Sequence, residues 1–363
     1  MSNIYKAKGI KLASQYVDVG RLFKKQLNQP IEIEQRKMQL VERVLINVRS
    51  NARLEDFYSC FRAWARGANI SEEMAMYLLA DNTSGCQTAI VRYGSGVALL
   101  HTEEDYYDVK KRMSGVHTIE FRDGKRKLKC LTYNDLMPGV GLYGWQRDML
   151  VAVDSLFLTE DRIFEIERPM LANIISWLIW YSHPKDASAE TLVSNLKKLG
   201  TLVDGYAINI VRRTKLGIEG YKLTFARDEW EIENLGNNVC DNLRQVNIVE
   251  PAYARQDRPI AKYRYSPWKM AIDYYGFLKR LKKMQTHINQ HRTQIASTLK
   301  QSQVSQIHKA IHKIIFEKYA RYYVTEWMGA TCVGLLDLSG LSVSTKLNDK
   351  RPVGTLEYVD IMI

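Results

Sequence analysis

Apolar residues recur at helical intervals over roughly the first 80 positions. Behind Pro30, a residue suited to a helix entrance, the stretch Ile31–Leu45 opens a helix. Its Met38, Val41, Val44 and Leu45, continued by Val48, fall on one face among charges. Phe57, Phe61 and Trp64 mark a second helical stripe through Leu54–Arg66, and Asn69-Ile70-Ser71-Glu72 reads as a capping box for a helix over Glu73–Ala80. Beyond the polar Asn82-Thr83-Ser84 the period shortens. Two apolar runs, from Cys86 to Tyr93 and from Val97 to Tyr106, flank Gly94-Ser95-Gly96 and predict a β-hairpin. Val116–Phe121 and Lys127–Tyr133 flank the turn Asp123-Gly124-Lys125, and Leu150–Leu156 follows a Pro-Gly loop at Met137–Gly141.

A helix is expected to open at Glu167–Asn173, with Pro169 near its first turn, and another at Ala187–Leu196. The strand period returns in Tyr206–Arg212, Gly220–Ala226, Glu229–Asn234 and Leu243–Val249. Phe277, Leu281, Met284, Ile288, Ile295 and Leu299 then line a long helix, and Ile307, Ile311, Ile314 and Ile315 a second one. With Gln301-Ser302-Gln303 between them they make a helix hairpin over about 271–323, crowded with Lys and Arg. Cys332–Asp337, Leu341–Ser344 and Leu356–Val359 close the chain as strands. Antiparallel strands segregated from helices indicate an α+β fold.

The 363 residues, 46% apolar and 25% charged, suffice for a large core. A net charge of +12 and a pI near 9.3 give a basic surface, which draws anionic partners. No helix–turn–helix, zinc finger or aromatic RNA-binding signature accompanies it, so nucleic-acid binding is not the expectation. Cys60, Cys86, Cys130, Cys240 and Cys332 are scattered and odd in number, which favours free thiols in a reducing, cytoplasmic setting. Neither a signal-peptide core nor an apolar run of spanning length is apparent. His308 and His312 share a helix face without a third ligand, so no metal site is expected.

The position with the most distinctive chemistry is Cys86, at the start of its strand just after Gly85. Were the Gly85–Cys86 bond cut, Cys86 would carry a free α-amine beside its thiol. Such an amine has a pKa of about 7.7–8.0 and can take the thiol proton near neutrality. The bland alternative is a buried structural thiol.

Gly85-Cys86-Gln87-Thr88, the Gly-turn hairpin and the acidic end Thr102-Glu103-Glu104-Asp105 together resemble the N-terminal nucleophile hydrolases. In particular they resemble the acyl-CoA:6-aminopenicillanate (isopenicillin N) acyltransferase-like family. The resemblance covers the order of motifs from Gly85 to Ala252 and, loosely, the strands after Cys332. It implies an αββα sandwich of two antiparallel sheets between helical layers. Residues 1–85 would be a helical small chain released by self-cleavage before Cys86, and 86–363 the catalytic core. It further implies Cys86 as nucleophile, Asp105 holding its amine and Asn247 donating to the oxyanion, with support from Thr88, Arg168, Ser266 and Lys269. The substrate implied is a small-molecule linear amide, with an acyl-CoA thioester as an admissible acyl donor, and no cofactor is called for. Membrane association is not expected, and homo-oligomerisation is left open.

Three residues depart from the family pattern: Glu103 and Asp154 stand where asparagine is commoner, and Lys269 stands for arginine, losing the planar fork. An anion at 154 would oppose an oxyanion unless turned away. These departures motivate a rival reading, an inactive scaffold whose basic surface binds an acidic partner or nucleic acid.

Overall fold

The computed structural model describes residues 4–28, 33–80, 85–93, 96–106, 117–141, 143–156, 163–182, 188–234, 246–247 and 326–347. Ser266 and Lys269, the basic helix hairpin and the strand at Leu356–Val359 lie outside these residues.

The amino-terminal region folds as four helices: α1 (Leu12–Leu27), α2 (Gln35–Ser50), α3 (Glu55–Ala68) and α4 (Glu72–Ala80). In α1 the buried Leu12, Tyr16, Val19, Phe23 and Leu27 repeat every three to four residues, the spacing of one helix face. Helix α3 carries Glu55 and Asp56 in its first turn, where the helix dipole favours acids, and ends on Asn69 in the left-handed conformation (φ 61°). Ser71 caps α4 by accepting from the Met74 amide at 3.1 Å, so the cap lies two residues beyond Asn69, the first residue of the capping pattern, which instead ends α3. α1 and α3 cross on bare backbone: a side chain at Gly20 would strike the Trp64 carbonyl, and one at Gly67 the Val17 carbonyl.

The strands form two main sheets. β1 (Ile4–Lys6), β4 (His117–Asp123), β5 (Arg126–Thr132), β6 (Tyr143–Gln146), β7 (Met149–Leu156), β10 (Gly205–Thr214), β11 (Gly217–Ala226) and β12 (Glu229–Asn234) pair in the order β1-β4-β5-β6-β7-β10-β11-β12. The predicted hairpin is β2 (Gly85–Tyr93) with β3 (Gly96–Tyr106), in a five-stranded sheet ordered β13-β2-β3-β14-β15. There β13 is Val246–Asn247, β14 Glu326–Leu336 and β15 Leu341–Leu347. Helices α5 (Ala172–Ser182) and α6 (Ala189–Lys197) connect β7 to β10.

Several details differ from expectation. The large sheet is mixed rather than purely antiparallel, because β1 runs parallel to β4. The first residues therefore supply an edge strand as well as helices. Beyond β1, Gln15 extends the edge by exchanging hydrogen bonds with both backbone groups of Arg122, at 2.6 and 2.7 Å. No helix opens at Glu167: Pro169 and Met170 form the short strand β8, parallel to β9 (Thr201–Leu202), and α5 starts only at Ala172. Proline's missing N–H is tolerated in so short a pairing.

The large sheet is covered on both faces. On one, the Tyr16 ring of α1 stacks on Phe121 of β4 at 4.5 Å, and Trp180 of α5 meets Phe121 edge-on. On the other lies the five-stranded sheet: the Tyr143 hydroxyl of β6 donates to the Leu99 carbonyl of β3 at 3.0 Å. Gly334 of β14 admits this approach, since a side chain there would collide with the same Tyr143 hydroxyl and with Leu150. Burial on both faces explains why β7 and β10 read as near-continuous apolar runs.

Candidate functional site

The register of the five-stranded sheet positions the residues of interest. In the hairpin Cys86 stands opposite Glu103, Thr88 opposite His101, and Ile90 opposite Leu99. On the far side of β2, Asn247 of β13 stands opposite Thr88. Opposed residues share a face, and the face alternates at every residue. Positions 86, 88 and 90 of β2, positions 99, 101, 103 and 105 of β3, and position 247 of β13 thus belong to the face turned toward the large sheet. Asp105 and Asn247 are both diagonal neighbours of Cys86, at the roughly 7–8 Å typical of such pairs, one on each flanking strand. Cys86 and Asp105 from one hairpin, and Asn247 from far along the chain, are brought to one end of one sheet.

The inter-sheet layer grades from apolar to polar toward that end. Ile90, Leu99 and Leu150 are buried and apolar. One step further, Thr88, His101, Asp154 and Asn209 form a hydrogen-bonded cluster, each with no solvent exposure. The Thr88 hydroxyl donates to Asp154 Oδ1 at 2.8 Å and lies 2.8 Å from His101 Nδ1, while Asn209 Nδ2 donates to Asp154 Oδ2 at 2.7 Å. A hydroxyl has one proton. Given to Asp154, it leaves the oxygen to accept from His101, which fixes that ring as the tautomer protonated on Nδ1. Burial pushes the imidazole pKa down to about 4, against the opposing pull of Asp154. His101 is therefore neutral near pH 7, and its 3.7 Å approach to Asp154 is not an ion pair. The cluster joins both sheets, with Thr88 and His101 from the smaller and Asp154 and Asn209 from the larger.

Asp154, expected as an anion that would disturb the site, has its carboxylate oxygens engaged by Thr88 and Asn209. Arg168 is exposed, and its guanidinium donates to the carbonyls of Lys198 and Leu199 at 3.4 and 3.3 Å, toward the loop before β9 rather than toward the hairpin. His101 and Asn209 escaped sequence reasoning. Their signal was a polar residue inside an apolar strand, as in Val97-Ala98-Leu99-Leu100-His101 and Ala207-Ile208-Asn209-Ile210.

Elsewhere, a groove of about 660 Å³ runs over α1, α2, α3 and α4, lined by Arg49, Arg62, Arg66, Glu72 and Glu73 among others. Glu72 pairs with Arg49 at 2.9 Å and Arg62 at 3.3 Å, so much of its charge is already matched. Among the described residues no group of three His, Cys, Asp or Glu could hold a metal, and no helix is long and apolar enough to cross a membrane. Cys60 and Cys130 are buried with thiol pKa values driven up by desolvation, which makes them poor nucleophiles. No family model matches the chain, and no curated protein matches it significantly.

Proposed function

We propose that the chain is a self-processing cysteine N-terminal nucleophile enzyme, an amidohydrolase or N-acyltransferase acting on a linear amide through an acyl-enzyme at Cys86. The observation carrying this reading is the register of β13, β2 and β3, which puts Asp105 and Asn247 at diagonal positions to Cys86, one on each flanking strand, on the face between the sheets. In the mature enzyme the α-amine of Cys86 takes the thiol proton, Asp105 holds the amine, and Asn247 donates to the oxyanion. Thr88 supports the strand, and Ser266, Lys269 and Arg168 are assigned secondary roles by the resemblance alone. Water or an amine then removes the acyl group, so neither metal nor organic cofactor is required, and an acyl-CoA is an admissible donor.

The same reading makes the fold an αββα sandwich, with a second helical layer over the outer face of the five-stranded sheet. Full burial of Leu100 and Val333, paired on the outer face of the five-stranded sheet, supports a covered outer face. A cytoplasmic setting keeps such a thiol reduced.

A catalytically silent scaffold binding an acidic partner is the second reading, and Glu103 directly opposite Cys86 favours it. A carboxylate beside a thiol disfavours the thiolate. Intact-mass measurement separates the two. The enzyme reading expects two fragments from the wild type, the larger beginning at Cys86, and one 42.0 kDa chain from Cys86→Ala. A wild-type protein that remains whole after purification and prolonged incubation would sink it.

A further inference from the structure

Self-cleavage poses a chemical problem that the mature mechanism does not solve. In the precursor the nitrogen of Cys86 is an amide, which cannot act as a base. The Cys86 sulfur adds to the Gly85 carbonyl carbon, the carbon–nitrogen bond breaks as the carbon–sulfur bond forms, and the thiol proton ends on the released amine. Water then hydrolyses the thioester, its hydroxyl going to Gly85 and its hydrogen to the sulfur. With no base built into the residue, the rate of the first step depends on how well strand β2 is held against its surroundings.

Thr88 is on the same face of β2 as position 86, roughly 6–7 Å further along the strand. It is also where β2 is tied to the opposite sheet, through its bond to Asp154 at 2.8 Å. His101, across the hairpin from Thr88, fixes the direction of the hydroxyl by holding its other side at 2.8 Å. Asn209 in turn holds the far oxygen of Asp154 at 2.7 Å. A neutral core would fill this space with less desolvation cost, so four buried polar residues here require a reason beyond packing.

We infer that Thr88, oriented by His101 and anchored by Asp154 and Asn209, is a positioning residue that sets the reactive geometry of Cys86 in the precursor. This inference rests on the proposed nucleophile role of Cys86. Valine at 88 keeps the shape and removes the hydroxyl, whereas serine keeps the hydroxyl. Leu223→Ala, in the buried β11, supplies a destabilised control with the cluster intact.

Two readouts follow on the full-length chain: the rate of appearance of the Cys86 amino terminus, and the rate of Cys86 alkylation by iodoacetamide in Cys86-containing precursor, followed by peptide mapping. Thr88→Val is expected to slow both at least tenfold, Thr88→Ser to stay within threefold of wild type, and Leu223→Ala to stay within threefold despite a lowered Tm. Equal rates for Thr88→Val and Leu223→Ala would overturn the inference, as would a folded wild-type Cys86 that does not alkylate. If the wild type never cleaves but Thr88→Val still slows alkylation tenfold, self-processing falls and the positioning role stands.

Discussion

The two faces of the eight-stranded sheet are packed on different principles. Toward the helices the contacts are aromatic and apolar, and the polar tips found there bond to backbone or to one another. The Trp180 indole donates to the Lys129 carbonyl at 3.0 Å, and the Tyr16 hydroxyl to the Pro138 carbonyl at 2.8 Å. Toward the second sheet, side chains bond side chains across the interface, through Thr88, His101, Asp154 and Asn209. The first face can exchange one large residue for another at modest cost. The second cannot lose one member without leaving a buried partner short of a bond. On the proposed function this difference would separate stability from activity: the helix-side face holds the sheet, and the sheet-side face ties down the strand that carries Cys86.

The largest test of that separation is Phe121→Ala on the helix side. Phe121 is fully buried between Tyr16 and Trp180, and its truncation is expected to cost about 3–5 kcal/mol. Urea unfolding would read the loss, while Gly85–Cys86 cleavage in the folded fraction stays near the wild-type rate. A cleavage rate that collapses along with stability would mean that the two faces are not separable.

The next largest effect comes from pH. His101 titrates at about 4 in the folded chain against about 6.5 when free, so between those values the unfolded state binds more protons. Its contribution is therefore intact above pH 6.5 and lost as pH falls toward 4, by roughly 3 kcal/mol at full extent. Asp204, which accepts from the Ala172 amide at the start of α5, has its carboxyl pKa raised to about 6 by burial. Its contribution is lost as pH rises through that value, so it tilts stability the opposite way over part of the same interval. The difference between wild type and His101→Gln isolates the histidine: the variant should lose less stability on acidification. Parallel curves would show that the imidazole is not buried as described.

What the sequence disclosed follows the same division. The pairing of β2 with β3, the start of α4 near Ser71, and the apolar runs of β7 and β10 are local or periodic, and each was legible. Strand β1 was not, because three residues carry no period and their pairing with β4 is set by contacts more than a hundred positions away. Pro169 misled for a related reason: proline suits a helix's first turn and a short edge pairing alike, and only the partner Thr201 decides between them. At the candidate site, the hairpin that carries Cys86 and Asp105 was legible from its period, while the roles given to those two residues came from the resemblance alone. The meeting of Thr88 with Asp154 was not legible, since it depends on how two sheets stack.

The smallest effect is expected from Asp154→Asn, and it asks whether the cluster works by charge or by geometry. An asparagine Oδ1 can still accept from Thr88, and its Nδ2 can donate to Asn209 once that amide turns its oxygen inward. The hydrogen bonds survive and a buried negative charge is removed, so stability at pH 7 should change by no more than about 1 kcal/mol. The charge does one further thing: it raises the His101 pKa against desolvation. Its removal should lower that pKa further, so the variant should lose stability on acidification more steeply than wild type. Cys86 alkylation near neutral rates at pH 7, with a steeper acid limb, would assign the cluster's role to geometry. An alkylation rate reduced as far as in Thr88→Val would assign it to the carboxylate.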